Sequence, residues 1–471
     1  MITQNFIDRE DDLEFLESQN EKRPSLVVLY GRKRVGKTAL VEKFCQNKRH
    51  IYYTASESNK KEQLKEVYDI VYQELQDELV KDLTHEWETL LRYLKDKNVI
   101  LVLDEFPYII KADNSIPSKI QRLWDKELKN SNLFLILTGS SISMMEDNVL
   151  SPKSPLYGRR TGQWKLEPFN FGSARKFFPN YSFKEQITAY SVLGGVPYFL
   201  EQFENEKSIK HNIRDHILNK GSVLYNEVEF LMREEFREPM NYYTILKSIS
   251  QGNTKFSEIQ NDTGISKNNL ASYLSVLRNL HLIKRRTPIT KKNSKRGRYY
   301  LEDNFFKFWF KFIFPNKSQL ETNHKLLLKN IDDSLDHYVS YIFEDICREL
   351  ITILNPRFEV GRWWTRGTRS SVRRNSPNSC RYKEDEIDIV ALNERESEII
   401  LSECKWTKNR IGFTLLNDLK EKADKVRWNN EERKENYILF SKSGFTKDLK
   451  NYEDENNDVT LYSLEAMDEE F

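Results

Sequence analysis

The stretch VVLYGRKRVGKTALV, residues 27–41, decides the fold. Apolar residues 27–30 read as a strand, Gly31 and Gly36 bracket a loop, and Lys37-Thr38 open an amphipathic helix. That is the G-x-x-x-x-G-K-[ST] pattern in the strand-loop-helix setting it needs. Each position has its own physical reason. Gly31 lets the chain leave the strand sharply, and Gly36 keeps a side chain away from bound phosphates. The loop residues Arg32, Lys33, Arg34 and Val35, with Ala39 in the first helical turn, then turn backbone NH groups and the positive helix end toward a nucleoside triphosphate. Lys37 is placed to reach the β and γ phosphates, and Thr38 to offer its hydroxyl to Mg²⁺.

Working outward, VILVLDEF at residues 99–106 is the matching partner. An uninterrupted apolar run suits a central parallel strand covered on both faces, and its acids fall at the strand end, where open α/β sheets bind ligands. Asp104 is expected to hold Mg²⁺, mainly through water, and Glu105 to act as the general base on the attacking water. Strands expected at 26–30, 50–54, 99–103 and 133–137 alternate with helices, which predicts a parallel, helix-covered sheet. The last of these strands ends in Thr138-Gly139-Ser140-Ser141, where Thr138 or Ser140 either senses the γ-phosphate or simply forms a small-residue turn. Arg159 and Arg160 come next, as an arginine finger or as surface ion-pair partners. The acidic, apolar-periodic segment before the loop either contributes to an adenine pocket or lies on the sheet.

The order FIDRE (6–10), GRKRVGKT (31–38), VLDEF (102–106), LTGSS (137–141), YGRR (157–160) and GGVP (194–197) resembles the archaeal-type P-loop ATPases, AAA-like proteins of the STAND group. The likeness covers about the first half of the chain. It implies ATP and Mg²⁺ as ligands, a helical lid over the nucleotide, and Pro197 against the adenine. The residues alone would make Pro197 a helix-initiating turn.

The second half changes character. Residues 242–251, 255–261 and 266–280 read as three helices, with Ser266 as an N-cap and a tight turn at Thr263-Gly264-Ile265. A β-ribbon is expected over 282–300, tipped by TKKNSKRG. Residues 282–298 hold Lys and Arg but no acid, so the ribbon is either a phosphate-contacting wing or a solvated one, while Lys267, Asn268, Asn269 and Ser272 would face a groove. FFKFWFKFIFP (305–315) reads as a buried helix joining this module to the last third of the chain.

Beyond residue 335 come a helix carrying Glu344, a strand ending in Trp363-Trp364, EIDIVAL (386–392) and IILSECK (399–405). Glu403 and Lys405, two apart on a strand, share a face. The D-x14-E-x-K pattern resembles the PD-(D/E)XK nuclease superfamily, with Ile387 standing where that motif has proline. Asp388 and Glu403 can hold divalent metal, and Lys405 can position water or stabilise the transition state. The resemblance implies Glu344 as an additional ligand. Between the strands lies an arginine-rich insertion with Arg366, Arg369, Arg373, Arg374 and Arg381. A basic helix is expected over 412–428, a last core strand at 437–441, and a peripheral acidic tail from Glu453.

Composition sets the frame. Hydrophobic residues make up 38% and charged residues 31%, and no apolar run approaches the roughly 18 residues that span a bilayer. A cytoplasmic protein is therefore expected. Seventy-four cationic and 72 anionic residues nearly cancel, so global charge does not argue for nucleic acid. Cys45, Cys347, Cys380 and Cys404 lack zinc-ligand spacing. The expected architecture is α/β. A P-loop NTPase parallel sheet (1–165) is followed by a helical lid (166–237), a winged helix-turn-helix (238–303), an aromatic connector (304–334) and a restriction-endonuclease-like α/β domain (335–471). ATP hydrolysis would regulate a DNA-binding nuclease, with homo-oligomerisation open. The alternative is a STAND-type switch or transcriptional regulator with a catalytically inactive nuclease-like domain.

Overall fold

The computed structural model describes residues 6–236, 238–291, 294, 296–365 and 384–471. The arginine-rich insertion and part of the ribbon tip lie outside them. The chain divides into two compact units, one running to Pro168 and including Val196–Tyr198, the other formed by Phe169–Gly195 and Phe199–Phe471.

In the first unit, β1 (Ser25–Tyr30), β2 (His50–Thr54), β3 (Ile100–Asp104), β4 (Phe134–Gly139) and β5 (Gly162–Lys165) form one parallel sheet in the order β2-β3-β4-β1-β5. Every residue of β1, β3 and β4 is buried because helices cover both faces, which is why these strands read as unbroken apolar runs. Alternate side chains feed two cores. Leu26, Val28, Leu101, Leu103, Leu135 and Leu137 join one, and Val27, Leu29, Ile100, Val102, Phe134 and Ile136 join the other. Because β4 sits between β1 and β3, the polar end of β4 stands beside both the glycine loop and the acidic strand end.

In the second unit, helices Met240–Ser250, Phe256–Thr263 and Lys267–Asn279 lead into an antiparallel ribbon of β6 (Ile283–Arg286) and β7 (Arg298–Leu301). Ser266 occupies the N-cap position, though its side chain makes no capping bond. The aromatic stretch is a hub. Phe305, Phe306, Phe308, Trp309 and Phe310 are essentially fully buried. Its rings meet Phe199 (Phe305, 4.8 Å), Tyr243 (Phe314, 5.2 Å) and Tyr338 (Phe308, 5.8 Å), so it ties the preceding helical segment as well as the next one. The helix expected near residue 337 starts earlier, as a single 31-residue helix His324–Leu354 that runs through the anticipated connector boundary.

The last sheet has the order β12-β11-β10-β9-β8, from β8 (Glu359–Trp364), β9 (Glu386–Asn393), β10 (Glu398–Lys405), β11 (Lys434–Ser441) and β12 (Val459–Ser463). β8, β9 and β10 are antiparallel neighbours, and β11 and β12 run parallel to β10. Two expectations are corrected by this domain. The basic helix is Phe413–Ala423, shorter than 412–428. The tail is not peripheral: β12 extends the sheet, Val459, Leu464 and Met467 are buried, and the Phe471 ring packs edge-on against Phe171 at 5.0 Å. Acidic composition hid the apolar positions, because Glu465, Asp468, Glu469 and Glu470 face outward between them.

Candidate functional site

The glycine loop is held in place from several directions. A side-chain carbon on Gly31 would fall 2.4 Å from the backbone oxygen of Leu166, so only glycine fits. Gly36 has φ +96°, in the left-handed region, and precedes helix Lys37–Cys45. Lys37 is 6% exposed and its Nζ donates to the carbonyls of Gly31 (3.0 Å) and Arg32 (3.1 Å). Burial lowers its pKa, while Glu105 and Asp104 pull it back up. Arg9 donates to the carbonyls of Val35 (3.0 Å) and Glu167 (3.1 Å), fastening the loop to the chain beyond β5. Pro197 stands 3.9 Å from where a Gly36 side chain would begin, and the Arg34 guanidinium lies over the Tyr198 ring at 4.1 Å. Pro197 and Tyr198 therefore lie against the loop.

The acidic strand end meets it. Asp104 is 4% exposed and accepts from Thr38 Oγ1 (3.4 Å), Tyr52 Oη (3.0 Å), the Glu105 amide (3.0 Å) and Thr138 Oγ1. A hydroxyl and a carboxylate this close form an all-oxygen donor set of the kind Mg²⁺ prefers. Glu105 has φ +52°, a conformation costing on the order of 1–3 kcal/mol for a non-glycine residue. Its Oε2 accepts from the Ser140 amide (3.2 Å) and hydroxyl (2.9 Å). Of the two candidate hydroxyls, Thr138 thus orients Asp104 and Ser140 orients Glu105. Arg159 pairs with Asp125 at 3.1 Å, and Arg160 donates to the carbonyls of Val149 and Leu150. Tyr52 carries no signal in the sequence. It reads as an ordinary strand residue, and only the pairing of β2 with β3 brings it to Asp104.

A second constellation lies in the second unit. Asp388 on β9 and Glu403 and Lys405 on β10 converge, with Lys405 Nζ 2.6 Å from Glu403 and 3.7 Å from Asp388. Asp388 also accepts from the Cys404 amide at 3.0 Å. Glu403 is 2% exposed, and its other oxygen accepts from Lys422 at 2.5 Å. Burial and the neighbouring Asp388 raise the Glu403 pKa against the pull of both lysines. A single ammonium is shared by Asp388 and Glu403, so the pair defines one cation position. Glu344 lines the same cleft and is ion-paired with Arg362 from β8. Among the described residues no three carboxylate, imidazole or thiol groups gather to hold a metal.

These side chains line a cleft of about 800 Å³. Among the described residues its lining holds eight cationic and nine anionic side chains, so that part of the cleft is charge-balanced. The ribbon explains part of this. Arg298, its side chain 9% exposed, pairs with Glu384 and Glu386 (both 2.8 Å) and stacks on Trp364. Arg286 pairs with Asp345 at 2.9 Å, and the Ile289 amide donates to the Arg362 carbonyl on β8. Lys284, on the same ribbon, is lowered to about 8 by burial and by Arg286. These three ribbon cations are turned inward. Lys267, Asn268, Asn269 and Ser272 do face solvent.

The parallel sheet with this loop and acidic strand end defines a P-loop ATPase. A family model described as an ATPase domain predominantly from Archaea matches residues 6–203. Residues 184–310 match a domain of unknown function, and 309–424 a family of archaeal and bacterial proteins of unknown function. An uncharacterized protein of Methanocaldococcus jannaschii is 36% identical over 474 residues, covering 98% of this chain and 99% of that one. The chain belongs to this family of archaeal ATPase-domain proteins. An uncharacterized ATP-binding protein of the same organism is 53% identical over 45 residues, 9% of this chain and 76% of its own length. A Walker-type ATPase of Pyrococcus abyssi shares the fold, with TM-score 0.52 and 22% identity over 65% of this chain and 97% of that one. Among the described residues no helix is long and apolar enough to cross a membrane.

Proposed function

We propose that the protein uses ATP hydrolysis to control a metal-dependent nuclease site that acts on DNA. The ATPase step starts at the loop. Lys37 leaves its two carbonyl partners for the β and γ phosphate oxygens, and Glu105, oriented by Ser140, takes a proton from the water that attacks the γ phosphorus as ADP leaves. Thr38 and Asp104 would hold Mg²⁺, which neutralises charge on the phosphates. Pro197 and Tyr198, resting on the loop, provide the contact through which nucleotide occupancy reaches the next helices.

The nuclease reading rests on one observation: Asp388, Glu403 and Lys405 converge in a cleft from adjacent strands. The two carboxylates would hold a divalent cation, which polarises a phosphodiester and acidifies bound water. Lys405 would orient the attacking water and offset charge that develops on the phosphodiester oxygens. Helices Met240–Ser250, Phe256–Thr263 and Lys267–Asn279 with the ribbon are read as a winged helix-turn-helix. Its DNA face is the exposed side of the third helix, the inward-turned wing arginines being already paired. Incubating plasmid with purified protein and Mn²⁺ should give nicking that Asp388→Ala abolishes, and equal cleavage by both proteins would remove this assignment.

The second reading is a nucleotide-controlled switch that binds DNA without cutting it. The lysine-capped Glu403 and the charge-balanced cleft favour it. It predicts salt-sensitive DNA binding with no nicking at any divalent concentration.

A further inference from the structure

Glu403 is the most enclosed acid in the cleft, and both its oxygens are taken by lysines from different elements. Lys405 comes from its own strand and is shared with Asp388, so it stays in the site whichever carboxylate it favours. Lys422 comes from helix Phe413–Ala423 and its ammonium contacts Glu403 at 2.5 Å. Two carboxylates and two ammonium groups leave the constellation neutral. A divalent cation entering between Asp388 and Glu403 meets that charge already compensated.

We infer that Lys422 is a counter-ion switch: it neutralises Glu403 until a phosphate of the nucleic acid draws its ammonium away, which frees the carboxylate for the cation. The inference rests on the nuclease reading and adds a regulation to it. The geometry suits the exchange. The Lys422 side chain is 25% exposed and lines the same cleft as Asp388, so its ammonium can swing toward an incoming anion without unfolding the helix. Glu403 is 3% exposed at the side chain and cannot follow it into solvent. The Lys422 ammonium stays charged beside either a carboxylate or a phosphate, so a phosphate entering the cleft competes with Glu403 for it at no cost in protonation. Cation and phosphate therefore bind with positive coupling: each removes what opposes the other.

Mn²⁺ binding to the full chain, followed by electron paramagnetic resonance without nucleotide, tests this, with Asp388→Asn used to assign the signal to this site. Lys422→Gln should tighten Mn²⁺ binding about tenfold, within the range ordinary for coupled sites. Lys422→Arg, which keeps the charge, should stay near wild type. A phosphorothioate DNA oligonucleotide should tighten Mn²⁺ binding severalfold more in wild type than in Lys422→Gln, where only the phosphate's own contact with the cation remains. A structural lysine gives the opposite sign, since its loss loosens the site. Unchanged or weaker binding in Lys422→Gln, with wild type still showing Asp388-dependent Mn²⁺ binding, overturns the switch and leaves the nuclease reading intact. Absence of any Asp388-dependent binding in either protein overturns both.

Discussion

Replacing Glu105 by glutamine should lower ATP turnover by about 10²–10⁴-fold, the usual contribution of a positioned general base. ATP affinity should change little. Glutamine is nearly isosteric, and its carbonyl oxygen can still accept from the Ser140 amide and hydroxyl, so the strand end keeps its shape. It cannot take a proton from water. The left-handed backbone at Glu105 sharpens the expectation. The Asp104 carboxylate accepts the Glu105 amide at 3.0 Å, and strain of this kind persists where a side chain must be aimed. Phosphate release at saturating ATP measures the effect. Turnover within threefold of wild type would mean that another group activates the water.

The second large effect concerns folding. Gly195→Ala should destabilise the second unit by at least about 3 kcal/mol, at the upper end for single substitutions. A side-chain carbon at Gly195 would lie 1.7 Å from the Phe169 carbonyl oxygen and 2.9 Å from its amide nitrogen. That approach is fixed by the hydrogen bond from the Phe169 amide to the Gly195 carbonyl at 2.7 Å, so neither backbone can retreat without breaking it. Denaturant unfolding followed by tryptophan fluorescence would show the loss. A midpoint unchanged within error would mean that the two backbones separate freely. The adjacent Gly194, at φ +71°, gives a second, conformational reason for the glycine pair.

How much of this is legible in the chain depends on how local each cause is. The glycine loop, the apolar strands and the acidic strand end are set within a dozen residues by periodicity and backbone freedom, and the structure places them as expected. The shared face of Glu403 and Lys405 is equally readable, because residues two apart on a strand point the same way, and Asp388 joins them through the pairing of β9 with β10. What escapes is non-local. Tyr52 reaches Asp104 only through strand pairing, Lys422 reaches Glu403 only because its helix packs over β10, and Arg9 reaches Val35 from a helix start far upstream. Charge is the least reliable guide. The ribbon reads as a basic wing, yet Arg286 and Arg298 are consumed by acids distant in sequence, and Glu344 is consumed by Arg362. The acidic tail reads as solvated, yet it supplies a strand and buried apolar side chains.

Calorimetric titration of the folded chain with ATP and Mg²⁺ is the most direct test of the central claim that the glycine loop and the acidic strand end together grip a magnesium nucleotide. One molecule of ATP should bind per chain with measurable heat, and Lys37→Met should abolish it while circular dichroism shows the fold retained. Binding of equal strength in wild type and Lys37→Met, or no heat from a demonstrably folded wild-type chain, would contradict it.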